Sequence, residues 1–171
     1  NMDSLKAIGA VGLIIIGFGV KAAMVPMHTW LPDAHSAAPS GISAMLSGVI
    51  IEAGLITMIK ALSVLPTINS GIVLIIFGIV SMFVGNFIAM VQRDLKRMLA
   101  YSSIAQMGYI LLGIGLAFAY LSTGGDYGFR GGFFHILNHA VMKGGAFLCA
   151  GAILYSIGTR DMEEMRGIGR K

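Results

Sequence analysis

Gly17-Phe18-Gly19-Val20-Lys21-Ala22-Ala23-Met24-Val25-Pro26-Met27-His28-Thr29-Trp30-Leu31-Pro32-Asp33-Ala34-His35 sets a lysine at the end of an apolar run and follows it at once with prolines. The residues from Ala7 to Val20 carry no charge. A charge at bilayer depth costs at least ~2.5–3.5 kcal/mol on insertion scales, so it is rarely kept without a use. Pro26 removes a backbone donor and disfavours helix at Val25, and Pro32 and Pro39 repeat the effect. The stretch therefore predicts a discontinuous helix with Lys21 just before the break. Thr29 to His35 is more polar and predicts a short second half-helix, which places Lys21 well inside the bilayer. The alternative is an interfacial lysine snorkelling from a helix end.

Composition agrees with that reading. The 171 residues are 56% hydrophobic and only 12% charged, and the mean hydropathy is +0.83. Soluble domains carry about 25% charged residues, so this chain lacks the polar surface to cover itself in water. The net charge of +4 lies mostly in short clusters between apolar runs, the pattern of topology signals rather than of nucleic-acid binding. The one cysteine, Cys149, excludes an internal disulfide and a cysteine metal cage. Its apolar surroundings predict a buried thiol.

Five stretches reach the ~20 residues that a helix needs to cross ~30 Å of hydrocarbon. They run Leu5–Met27, Ala38–Leu62, Asn69–Val91, Met98–Leu121 and Gly131–Ile157. Pro66 and Asn69 mark the turn inside the charge-free stretch from Ala61 to Gln92. The Gly, Ala and Ser content suits close-packed transmembrane helices. Strand-like alternation is missing, which argues against a barrel. Arg93, Lys96, Arg97, Arg160, Arg166, Arg170 and Lys171 fall on one side, and Lys6, Lys60 and Arg130 on the other. The excess predicts that the first side faces the cytoplasm. Gln92 to Arg97 reads as a short cytoplasmic turn with anchoring charges. The sequence opens close to its first apolar run and stops soon after its last, and a piece of a larger subunit is expected.

A second polar signal lies in the fifth span: His135-Ile136-Leu137-Asn138-His139-Ala140-Val141-Met142-Lys143. His135, His139 and Lys143 are spaced i, i+4, i+8 and share one helix face, with Asn138 at its edge. Such a ladder can hold waters and pass protons, or serve as hydrogen-bonding glue between helices. Glu52, near the middle of the second span, is either a protonated passenger or a partner for a buried lysine. Tyr101 to Tyr109, including Gln106, offers polar positions for lining a water path.

Together the Lys21–His35 stretch, Ala38-Pro39-Ser40-Gly41-Ile42-Ser43-Ala44, the Gln92–Tyr109 stretch and His135–Lys143 resemble the antiporter-like, proton-translocating membrane subunits of respiratory complex I, Mrp-type sodium/proton antiporters and membrane-bound hydrogenases. The matching pieces cover nearly the whole chain. The resemblance implies an all-α inverted-repeat fold, with residues 1–62 ending the first repeat and 69–171 beginning the second. It implies an integral protein of a prokaryotic cell membrane or an organellar inner membrane, with other membrane subunits as partners. Lys21 would be the central switching lysine, and His135, His139 and Lys143 would join the two halves along a hydrated axis. Many relatives carry a lysine or histidine on the helix matching the second span, where this sequence has Ser47 and Glu52. The central relay is therefore expected to differ in charge pattern.

The expected function is proton, or sodium/proton, translocation through Lys21, Glu52, His135, His139 and Lys143. Redox chemistry would lie in other subunits, and no cofactor, metal or nucleic acid is expected on this chain. A stand-alone Mrp-type antiporter is the alternative within transport. From another class, a haem or metal protein would use His28, His35, His135 and His139. The i, i+4 pair suits a metal, but that spacing does not supply the axial pair of a cytochrome haem. A purely structural scaffold is a third reading, in which neutralising these charges leaves transport intact.

Overall fold

The structure, a computed structural model, describes residues 2–64, 70–120 and 126–170. The turn assigned to Pro66 and Asn69 lies outside the described residues. Among the described residues, seven α-helices follow in order: α1 (Met2–Lys21), α2 (Trp30–Ala37), α3 (Ser40–Met45), α4 (Ile51–Ser63), α5 (Ser70–Met90), α6 (Leu95–Ala119) and α7 (Asp126–Ile157). A π-helical turn, Leu46–Ile50, joins α3 to α4 into one rod. Among the described residues there is no strand, and the one β-bridge joins Asp94 to Asp161. Among the described residues, four helical rods are long and apolar enough to cross a membrane: 40–63, 70–90, 95–119 and 126–157.

The first apolar helix, α1, stops at Lys21 rather than continuing to Met27. Ala23 takes a left-handed backbone conformation (φ +53°), which turns the chain out of the helix. The next segment, 22–29, contains Pro26, and Pro39 separates α2 from α3. Pro32 does not break a helix. It is the third residue of α2, in the first turn, where the missing N–H has no intrahelical partner to lose.

Backbone turned out of a helix at membrane depth needs partners from the protein. Ser81 on α5 supplies one by accepting the Val25 N–H at 3.0 Å. The Trp30 indole supplies another by donating to the Val20 carbonyl at 2.7 Å, at the end of α1.

Helices α5 and α6 form an antiparallel hairpin with its backbones in close approach. A Cβ on Gly108 would lie 2.6 Å from the Gly78 carbonyl oxygen and 2.6 Å from the Met82 nitrogen. Lipid tails are as apolar as leucine, so such helices gain from tight van der Waals packing rather than from excluding water. The buried cluster joins Val11 and Ile15 of α1 and Met24 of the break to Leu55 and Met58 of α4, Leu74 of α5, and Ile104 and Ile110 of α6. Helix α7 packs on α6 and on the α3–π segment.

Candidate functional site

Helix α7 buries one stripe: Gly132, Ile136, His139, Lys143, Phe147 and Ala150. These positions recur every three or four residues and so lie on one face. His135 is half-buried beside the stripe, while Asn138 is exposed off it. The stripe faces α6 and the α3–π segment, and His139 reaches the start of α4 at Glu52. At the π turn a Cβ on Gly48 would lie 2.9 Å from the Ala140 carbonyl oxygen. Only glycine lets the second span approach α7 this closely, and the approach brings Glu52 against the next residue back, His139.

The result is a buried acid–imidazole pair. His139 Nδ1 and Glu52 Oε1 share a hydrogen bond at 2.7 Å, and the two side chains are 0% and 6% exposed. An imidazole can receive a proton on one ring nitrogen while releasing one from the other, and a carboxylate can accept it. The pair therefore has the chemistry to store or pass a proton away from bulk water.

Neighbouring polar groups continue from it. His135 Nε2 and Gln106 Oε1 are 2.7 Å apart, with the Tyr109 ring edge-on to the histidine. The Lys143 ammonium donates to the Leu99 carbonyl at 3.2 Å. The same carbonyl accepts from Ser103 Oγ at 3.0 Å, and Ser103 pairs with Ser47 Oγ at 2.7 Å. A hydrogen-bonded string thus runs from Ser47 in the π turn, across α6, to Lys143 on α7.

Lys21 is placed differently. It is exposed at the end of α1, and its aliphatic stem lies over α4 at Gly54, where a Cβ would come within 2.9 Å of Lys21 Cγ. Residues two apart on an α-helix point about 200° away from one another. The Lys21 stem and the Glu52 carboxylate therefore lie on opposite sides of α4, and Glu52 pairs with His139 rather than with Lys21. The structure pairs Glu52 with His139, sets His135 at Gln106 and Lys143 at Leu99 on the turns of α7 to either side, and leaves Lys21 across α4 from Glu52.

Two sequence readings change. Lys96, read as an anchoring charge of a cytoplasmic turn, is 3% exposed, and its ammonium donates to the Ala38 carbonyl at 2.7 Å. Its register with Ala100, Ser103 and Met107, all buried on α6, was the available signal. Cys149 is exposed rather than buried, because it lies off the buried stripe of α7. The histidines of the metal reading have separate surroundings: His28 edge-on to Tyr101, His35 stacked on Phe147 at 4.4 Å, His135 at Gln106 and His139 at Glu52. Among the described residues, no group of three or more His, Cys, Asp or Glu side chains is placed to hold a metal ion.

A discontinuous first helix, apolar rods and titratable side chains buried between them mark an integral membrane chain. The chain belongs to the NADH:quinone oxidoreductase/Mrp antiporter transmembrane family, which it matches over residues 1–171. It is 40% identical over 168 residues to hydrogenase-4 component B of Escherichia coli (strain K12), covering 93% of this chain and 25% of that protein. It is 35% identical over 161 residues to NADH-quinone oxidoreductase subunit M of Rickettsia typhi, covering 92% of this chain and 31% of that protein. Its fold matches a chain of the membrane-bound sulfane sulfur reductase, an archaeal respiratory membrane complex, with a TM-score of 0.81 and 32% identity, covering 92% of this chain and 32% of the other. A chain of the Mrp complex from Dietzia sp. DQ12-45-1b matches with a TM-score of 0.75 and 28% identity, covering 85% and 26%. The chain thus spans about a quarter to a third of the length of these relatives.

Proposed function

We propose that this chain is part of an antiporter-like subunit that translocates protons across the membrane within a redox-driven complex. The observation that carries the reading is the buried Glu52–His139 pair, which joins the second span to α7 beside Lys143. Buried titratable groups at membrane depth are costly, and proton relays are among their uses. The likeness to a hydrogenase component, to a quinone oxidoreductase subunit and to the sulfane sulfur reductase complex supports a redox-driven setting. Other membrane subunits are then its partners, and the electron-transfer chemistry lies in them.

In this reading Glu52, His139, His135 and Lys143 form the relay. Lys21, at the helix break on the far side of α4, is the switching lysine whose charge biases that relay. Residues 1–62 close one repeat and residues 69–171 open the next, so the Glu52–His139 contact crosses the seam. The test is proton uptake by sealed vesicles carrying the intact assembly, driven by its electron donor. Lys21→Ala abolishes uptake while the assembly forms normally. Undiminished uptake in that variant overturns the switching role.

The likeness to the Mrp complex favours a second reading, sodium/proton antiport without a redox partner. Uptake that persists without an electron donor and follows an imposed sodium gradient selects it.

A further inference from the structure

The end of α2 leaves carbonyls that its own helix does not satisfy. Proline has no N–H, so Pro39 cannot bond the carbonyl of His35 four residues earlier. Just before Pro39 the chain turns extended at Ala38 (ψ 150°), so the last carbonyls of α2 lose their helical donors as well. Three side chains from three other places bond carbonyls at this end, two in α2 and one on Ala38 just past it. Ser43 Oγ donates to the His35 carbonyl at 3.2 Å, Arg160 Nη1 to the Ser36 carbonyl at 2.5 Å, and Lys96 Nζ to the Ala38 carbonyl at 2.7 Å. Two of the three donors are cations at the negative end of a helix dipole. A third cation, Arg97, pairs with Asp33 on the same helix.

Arg160 is itself held in place. It follows α7 in a short strap whose backbone pairs with the α5–α6 turn: Leu95 N–H donates to the Arg160 carbonyl at 3.0 Å, and Met162 N–H to the Arg93 carbonyl at 2.9 Å. Its guanidinium also lies 3.6 Å from Asp94, the residue that caps α6 through the Arg97 N–H. The helix that carries His139 and Lys143 thus reaches, through this strap, onto the detached helix that follows Lys21.

We infer that Lys96 and Arg160 are positioning residues: they clamp the C-terminal end of α2 and thereby fix the break that carries Lys21. Through Arg160 the clamp links a displacement of α7 to that break. The link to transport rests on the proposed function, whereas the clamp itself does not.

The test uses the intact assembly with Cys149→Ser and a single reporter cysteine, Met24→Cys, at a fully buried position of the break. The rate of N-ethylmaleimide labelling is measured. Arg160→Met and Lys96→Met each raise it about tenfold, the factor for losing one hydrogen bond with a charged partner. Arg160→Lys and Lys96→Arg restore slow labelling. A second reporter, Leu74→Cys in the α5–α6 hairpin, stays protected throughout. Lys96 is buried, so its methionine variant can fail to assemble. The half-exposed Arg160 then decides, and unchanged Met24→Cys labelling in Arg160→Met overturns the clamp. Equal exposure of both reporters also overturns it, because that is general loosening. Proton uptake per electron donor consumed falls in Arg160→Met if the clamp transmits motion. If the parent assembly takes up no protons, the transport reading fails while the labelling still decides the clamp.

Discussion

Glu52 and His139 lie 87 residues apart in sequence and meet at 2.7 Å between α4 and α7, both withdrawn from solvent. The contact makes a buried carboxylate tolerable, since an unpaired one at this depth would be costly. It also separates Glu52 from Lys21, on the other side of the same helix.

Glu52→Gln keeps a hydrogen-bonding side chain of the same size but cannot exchange a proton at this site. Proton uptake is expected to fall to background while the assembly keeps its midpoint of thermal unfolding within a few degrees. Glu52→Ala is expected to lose uptake and stability together, because it leaves the buried His139 Nδ1 without its partner, a cost of ~1–3 kcal/mol. Normal uptake in Glu52→Gln would remove the pair from the relay.

Ser81→Ala is expected to loosen the segment after Lys21. Its hydroxyl accepts the Val25 N–H, and an orphaned buried donor costs ~1–3 kcal/mol. Hydrogen exchange of the Val25 amide should speed up by about tenfold or more, while amides in α6 keep their rates. Ser81→Thr retains a hydroxyl and should exchange close to the parent.

Gly108→Ala is expected to separate the α5–α6 hairpin, since the new methyl would meet backbone atoms at 2.6 Å. Overpacking of this kind costs ~1–3 kcal/mol, read as a lower thermal midpoint of the detergent-purified assembly. Gly113→Ala is the control on the same helix. Its nearest neighbour would be 3.4 Å away, an ordinary contact, and its midpoint should not move.

Arg130→Gln is expected to change stability by no more than ~0.5 kcal/mol. Arg130 pairs with Asp126 at 2.7 Å within one turn of α7, but both side chains are at least 70% exposed, and such i,i+4 pairs contribute little. A shift of several degrees in the thermal midpoint would show that the pair is buried in the full assembly.

The membrane class, the apolar rods and the break after Lys21 were legible in the linear order of residues. Hydrophobic length, proline chemistry and the cost of a charge in lipid are local properties, and each acts at the position where the residue stands. The periodic stripe on α7 was legible for the same reason: His139 and Lys143 recur with the helical turn. Partner choice was not. Whether Glu52 meets Lys21 or His139 depends on which side of α4 each neighbour packs, and that is decided by the π turn and by the approach of Gly48 to Ala140. Lys96 looked like a surface anchor because its sequence neighbours Arg93, Asp94 and Arg97 are charged. It is buried because α6 packs against α2, whose end presents the Ala38 carbonyl for it to bond. A break in a helix can be read from one proline, but the donors that satisfy the broken backbone come from elsewhere in the chain, and only the packed structure brings them together.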